Sequence, residues 1–308
     1  MKYAYQFHIK TGSQVDLGKI DADYHGEYDN EESSIPDMNQ YSERLTELQA
    51  LMYAENKHSL LIVLQAMDGG GKDGTIHHVM AAMNPQGCNV VGFKVPTAEE
   101  LAHDYLWRIH KMTPARGHIT VFNRSHYEDV LVVRVHNLVP EEVWSKRYNE
   151  INAFERGLAN SGTTIVKFFL HIDKAEQLRR FRDRLDETDK QWKISDADYK
   201  EREYWEDYQQ AYVDAISKCS FNYAPWYVIP ANRKWFRNLA ISQILVQTME
   251  GWKMKYPEPS VDLTVIKQMY HAEVAEELGI VVEQPVVEEE QPEEKKGKKK
   301  GKKKKKKK

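Results

Sequence analysis

The sequence is poor in cysteine, with only Cys88 and Cys219 in 308 residues. This excludes a disulfide framework and a multi-cysteine zinc site, and it makes a reducing cytoplasm the expected compartment. No uninterrupted run of eighteen apolar residues is present, so no segment reads as a transmembrane helix and no membrane partner is expected. The opening MKYAYQFHIKTGSQVD lacks the apolar stretch and small-residue cleavage site of a secretory signal. No internal repeat is visible, which sets aside solenoids and propellers. A basic body is missing too. The net charge of -3 includes twelve Lys in 295–308 and six Glu in 283–294; without them, residues 1–282 hold 32 basic and 41 acidic side chains, a net of -9. Such a body is not a general nucleic-acid surface, so no specific nucleic acid is expected, and any anion must meet a local basic pocket.

Hydrophobic residues at 41% and charged residues at 30% are sufficient for a sizeable core under a charged surface. Residues 1–35 read as an irregular arm wrapping the body, 36–260 as the main domain, 261–282 as a C-terminal helix and 283–308 as a disordered Glu-then-Lys tail. The tail reads either as a solubilising segment or as an arm attracting a polyanion such as RNA, acidic lipid or inorganic polyphosphate.

Leu45, Leu48 and Met52 predict a helix over 40–56. Apolar runs predict strands at Ser59–Asp68, Asn89–Pro96, His118–Ser125, Thr163–Asp173 and Trp226–Ala231. Helices are expected at Lys72–Met83, Ala98–Lys111, Tyr127–His136 and Glu141–Asn160, and after the last strand through Met254. Strands alternating with helices predict a three-layer α/β/α sandwich with a parallel sheet. Between the fourth and fifth strands the pattern is helical only over Lys174–Cys219, too long for a simple crossover; it predicts a helical lid over about 174–225.

The strongest local signal is Asp68-Gly69-Gly70-Gly71-Lys72, a glycine turn between a strand and a helix. Such a turn presents backbone N–H groups to phosphate oxygens, and the helix adds its positive end. Candidate phosphate contacts are Gly69, Gly70, Gly71, Lys72, Asp73, Gly74 and Thr75. The match to G-x-x-x-x-G-K-[ST] is imperfect, because Ala66 stands at the first Gly and Asp73 at the Ser/Thr. A carboxylate in a phosphate loop repels its ligand unless a divalent cation intervenes, so Asp68 is the candidate metal ligand, for Mg²⁺ or alternatively Mn²⁺. The strand ending at Asn123 is expected beside this loop; Arg124 follows as a phosphate clamp, and Glu128 and Asp129 start the next helix.

A longer anion needs a basic track, with Lys94, Arg108, Lys111 and Arg116 as candidates. In the lid, Arg179 and Arg182 share one helix face and Arg180 and Arg184 another, while Leu178, Phe181 and Leu185 are expected to pack the helix. Arg179 and Arg182 are chosen as the lid's phosphate contacts. Trp192, Lys193, Tyr204 and Trp205 could stack a nucleobase or pack the lid. His77, His78, His118 and His126 are read as packing or solvent contacts.

The segments LQAMDGGGKDGTI (64–76), NRSHYEDVLVVRVH (123–136), EREYWEDYQQAY (201–212) and APWYVIPANRKWFRN (224–238), with NPQG and FKVPT within 84–97, resemble the polyphosphate kinase 2 family over roughly 40–255. NRSHYE and the leader YQFHIKTGSQVDL resemble its class III subgroup. The resemblance implies a P-loop kinase fold and Mg²⁺-dependent, reversible transfer of a phosphoryl group from inorganic polyphosphate to AMP, ADP or their guanine counterparts. It matches Asp68 to the metal-handling acid, Lys72 to the loop lysine, Asn123 and Arg124 to the second motif, and Glu128 to a position tied to monophosphate use. It also implies a homo-oligomer, dimer or tetramer. Direct in-line transfer without a phosphohistidine is expected. The alternatives are an ATP-dependent nucleotide or small-molecule kinase of the same fold, and a polyphosphate-binding scaffold without turnover.

Overall fold

Ser59–Ala66 contains eight consecutive buried residues rich in Leu, Ile and Val, as a strand covered on both faces requires, and it forms the central strand β1. Cys88–Gly92 (β2), Ile119–Asn123 (β3), Thr163–His171 (β4) and Trp226–Pro230 (β5) complete the sheet. The five strands are all parallel, in the order β2-β3-β1-β4-β5. The computed structural model describes residues 2–81 and 83–278; the expected disordered tail at 283–308 lies outside them.

The longer helices are Glu31–Glu55 (α1), Lys72–Met80 (α2), Glu141–Asn160 (α3), Lys174–Asp186 (α4), Asp196–Glu203 (α5), Trp205–Lys218 (α6) and Lys234–Glu250 (α7). Helices α1, α2 and α7 pack together, and α3 packs on β4 and on the turn after β3. This is the layered α/β architecture expected. After β1 the chain runs to β2 and β3 on one side, then crosses to β4 and β5 on the other. Ligand crevices form beyond the carboxyl ends of strands at such a reversal. The described residues from Glu258 to Leu278 form a separate unit, in which Leu263–Glu277 is helical (α8). Among the described residues no helix is long and apolar enough to cross a membrane.

Several expected elements differ. The helix foreseen over 40–56 starts at Glu31, because Asn30 and Ser33 make a reciprocal capping box; exposed Pro36 then forfeits only one backbone bond. The helix expected over Ala98–Lys111 is two single turns, Ala98–Leu101 and Trp107–His110; Asp104 accepts the Leu106 N–H and turns the chain between them. Tyr127–His136 is a 3₁₀ segment, His126–Val130, followed by the single turn Val132–Val135. The strand expected over Asn89–Pro96 stops at Gly92.

The N-terminal arm is anchored by buried Tyr3, Phe7, Val15 and Leu17. Near residue 8 it pairs antiparallel with β5: Ile9 N–H donates to the Trp226 carbonyl at 2.9 Å and Val228 N–H to the Phe7 carbonyl at 3.1 Å. This covers a sheet edge that would otherwise offer unpaired backbone groups. His171, at the end of β4, donates from Nε2 to the Ile20 carbonyl at 3.1 Å, and its buried Nδ1 has no hydrogen-bond partner among the described residues. Burial pulls the His171 pKa below its ordinary value. The unfolded chain therefore takes up this proton first, and stability falls as pH drops below about 6.5, at up to about 1.4 kcal/mol per pH unit. His171→Gln keeps a donor for Ile20 and loses this titration. Denaturant melts at pH 7.5 and 5.5 are expected to show a smaller loss in the variant; equal losses would mean that His171 is not held neutral.

Candidate active site

The chain leaves β1 at Ala66 and reverses through Met67–Gly71 into α2. Gly69 and Gly71 adopt φ of 76° and 96°, values that a side chain strains. A Cβ on Gly70 would lie 2.4 Å from the Ala66 Cβ. This close approach accounts for the departure from the usual motif: Ala66 is accommodated because Gly70 opposite it has no side chain. A Cβ on Gly71 would lie 2.1 Å from a nitrogen of Arg237. The first-turn N–H groups of α2 lack helical partners and mark the anion-attracting end.

Around this turn lies a cleft of about 470 Å³, lined by nine Lys and Arg side chains against Asp68, Asp73 and Asp183. Lys72 donates from Nζ to the Ala66 carbonyl at 3.1 Å; burial, with Arg124 nearby, pulls its ammonium below the usual range. Arg124 follows β3 with φ 63°, the left-handed region that costs a non-glycine residue on the order of 1 kcal/mol or more. That backbone sends its guanidinium to Asp68 Oδ1 at 3.0 Å and to Glu128 Oε2 at 3.6 Å. Burial opposes the Arg124 charge, but Glu128 and Asp68 outweigh it and hold the pKa above the ordinary value. Asn123 donates to Asp73 Oδ1 at 2.6 Å. Asp68, Gly69, Gly70, Gly71, Lys72, Asp73, Gly74, Lys94, Asn123 and Arg124 all reach this cleft.

Four expected phosphate contacts lie elsewhere. Thr75 is buried, and its hydroxyl donates to the Gly71 carbonyl one turn back. Arg108 is buried against the Phe93 ring and donates to the Lys94 carbonyl at 2.8 Å, so it buttresses the loop after β2. Arg179 is taken up by Glu176 at 2.6 Å and Asp183 at 2.9 Å. Arg182 is exposed and outside the cleft. The other face of α4 lies over the glycine turn instead. Gln177 donates to the Asp68 carbonyl at 2.8 Å, Arg180 to the Gly69 carbonyl at 2.8 Å, and both Arg180 and Arg184 line the cleft. Leu178 and Leu185, expected to pack α4, are half exposed; Phe181 alone of the three is buried.

Sequence reasoning missed Arg237. It is 1% exposed, and its hydrogen bonds go to the Asn238 side chain at 2.8 and 3.1 Å. Among the described residues no carboxylate pairs with it. Burial, with Arg180 nearby, pulls its pKa down to about 9, which leaves it charged at neutral pH. The available signal was a lone charged side chain in the otherwise uncharged run Phe236–Val246.

A second cavity, of about 940 Å³, adjoins the first. Phe93, Lys94 and Arg124 line both. Its walls include Val95, Leu101, Tyr105, Val133, Leu138 and Val139, with Glu128 and Asp129 at the inner end. Asp129 accepts from Arg147 at 2.8 Å, yet burial still raises its pKa to about 6. Among the described residues no group of three or more His, Cys, Asp or Glu stands ready to hold a metal. Asp68 and Asp73 are the carboxylates at the turn, and a magnesium bound there would draw most of its ligands from phosphate oxygens and water.

A parallel sheet with a glycine turn, a basic cleft and helix α4 beside it is an α/β arrangement suited to holding phosphate groups. Residues 28–257 match the family described as Polyphosphate kinase 2 (PPK2), and the chain belongs to that family. It is 51% identical over 255 residues to the AMP/ADP-polyphosphate phosphotransferase of Meiothermus ruber, covering 82% of this chain and 96% of the relative. It is 47% identical over 265 residues to the ADP-polyphosphate phosphotransferase of Rhodopseudomonas palustris, covering 82% and 92%. The crystal structure of polyphosphate kinase 2 from Arthrobacter aurescens TC1 superposes with a TM-score of 0.85 at 40% identity, covering 88% of this chain and 97% of that one.

Proposed function

We propose that this protein transfers the terminal phosphoryl group of inorganic polyphosphate to AMP and to ADP. The observation that carries the reading is the pair of cavities meeting at Arg124. The basic cleft has Phe93 as its one Phe, Tyr or Trp, so it suits a donor that is phosphate throughout and has no base to stack. The adjoining cavity has the apolar and aromatic walls that a nucleoside needs, with Arg124 at the junction for its phosphate. The names of the two relatives support the same pair of substrates.

Donor and acceptor are both polyanions, so the site must offset their repulsion and align them in line. Lys72 and the loop amides hold the terminal donor phosphates. Arg180, Arg184 and Arg237 neutralise the chain behind them. Arg124 bridges to the acceptor phosphate, and Glu128 orients that guanidinium from the acceptor side. Asp68 would hold Mg²⁺, which would supply further charge neutralisation. The closed position of α4 over Asp68 and Gly69 excludes water and limits hydrolysis.

The test is product formation from AMP and from ADP with polyphosphate and Mg²⁺ and without ATP. ADP and then ATP are expected from AMP, and ATP from ADP. Product from ADP alone removes AMP from the acceptor range. No product from either, with activity restored by ATP and another acceptor, overturns the reading in favour of an ordinary kinase.

A further inference from the structure

Behind the turn that carries Arg124 and Glu128 lies a closed polar cluster. Its members are His126, Tyr127, Glu155 on α3 and Lys167 on β4, each 0% exposed. Lys167 donates to Glu155 Oε2 at 2.5 Å, to the Tyr127 hydroxyl at 2.8 Å and to the Cys219 carbonyl at 2.7 Å. All three ammonium protons are thereby used. The other oxygen of Glu155 accepts from the Tyr127 hydroxyl at 2.9 Å and pairs with His126 Nε2 at 3.1 Å. Burial pulls the His126 pKa down; Nε2 faces the carboxylate and so carries the proton, and Nδ1 has no hydrogen-bond partner among the described residues.

Stability does not account for this cluster. A buried ion pair is costly to desolvate, and apolar side chains of similar volume often serve as well or better. What the cluster supplies is direction. Its bonds converge on two consecutive residues, and those residues sit between Arg124 and Glu128. Ser125 continues the constraint, accepting from Tyr127 N–H at 3.2 Å and from the buried Gln65 amide at 3.1 Å. A non-glycine residue held left-handed, as Arg124 is, persists only where its surroundings over-determine it.

We infer that Lys167 and Glu155 are positioning residues: through Tyr127 and His126 they fix the turn that sets Arg124 between Asp68 and Glu128. Neither lines the basic cleft or the adjoining cavity. The bond from Lys167 to Cys219 also ties this turn to the end of α6, whose Tyr208 and Tyr212 stand beside Asp68 and Arg124 in a small third cavity.

The inference rests on the proposed reaction, and its test separates the two. In Glu155→Gln/Lys167→Met the amide oxygen still serves His126 and Tyr127, while both charges are gone. The melting temperature is expected to stay near or above that of the wild type, while kcat falls by about 10- to 100-fold with little change in KM for polyphosphate. The ratio of AMP to ADP turnover is expected to shift by about threefold or more, a quantity that a smaller folded fraction would leave alone. The side-chain Nε–H NMR signal of Arg124, assigned with Arg124→Lys, is expected to move or broaden whatever the donor. A folded double variant with wild-type kcat, ratio and Arg124 signal overturns the inference. If the double variant does not fold, Tyr127→Phe removes one hydroxyl and leaves the charges paired; the same shifts are expected, smaller, and their absence overturns it equally. Failure of the wild type to use polyphosphate would refute the proposed reaction, and the Arg124 signal would still decide the positioning role.

Discussion

Arg237→Met is expected to leave the protein at least as stable as the wild type and to cut polyphosphate-driven turnover by about 10²-fold or more. The two effects have opposite signs for one reason. In the unliganded protein Arg237 is a buried cation whose partner is the Asn238 amide. Such a charge is costly to keep dry, and methionine fills the same space without it. When phosphate enters the cleft, the same guanidinium faces an anion in surroundings that screen poorly, and the interaction becomes strong. Polyphosphate should therefore raise the melting temperature of the wild type more than that of the variant. Thermal melts with and without polyphosphate, beside steady-state rates, check all three statements. A variant that is less stable yet fully active would show that Arg237 only supports the packing of α7.

Asp68→Asn is expected to abolish Mg²⁺-dependent turnover, a loss of about 10³-fold or more in kcat, with little change in the fold. The amide keeps an oxygen for Arg124 at the 3.0 Å contact, so the geometry survives while the charge does not. Two things are lost together: the carboxylate proposed to hold the metal, and the anion that balances Arg124. A kcat within about threefold of wild type at saturating Mg²⁺ would remove Asp68 from the metal assignment. An unchanged circular dichroism spectrum and melting curve would show that the loss is chemical.

The central strand and the glycine turn were legible because both are local signals. An apolar run ending in an acid and three glycines needs no knowledge of the rest of the chain. Arg124 and Asn123 were placed by the same logic, since the end of β3 must lie beside the end of β1 in this topology. The face of α4 was not legible. Its covered side includes the polar residues Glu176, Gln177 and Arg180, which pair with one another or with loop carbonyls. Hydrophobic periodicity cannot see such a face, and it pointed instead to Leu178 and Leu185. Arg237 comes from a helix far along the chain, and only the packing of α7 on α2 brings it to the loop. Glu155 and Lys167 were not singled out, although Lys167 is a lone Lys in the apolar run Thr163–His171; their pairing depends on the packing of α3 on β4.

The antiparallel contact of the arm with β5 also bears on the order in which the molecule can be completed. Its neighbour bond, from Tyr3 N–H to Gln243, joins residues 240 apart in sequence. On the ribosome the arm emerges before the strand and the helix that it pairs with, more than 200 residues later in the chain. Contacts of such long separation slow folding and lengthen the time that apolar groups stay uncovered. Tyr3 and Phe7 can pack edge-to-face with Phe236 only once that later helix exists. The arm is thus synthesised before the elements it docks on, and its docking covers the open edge of β5.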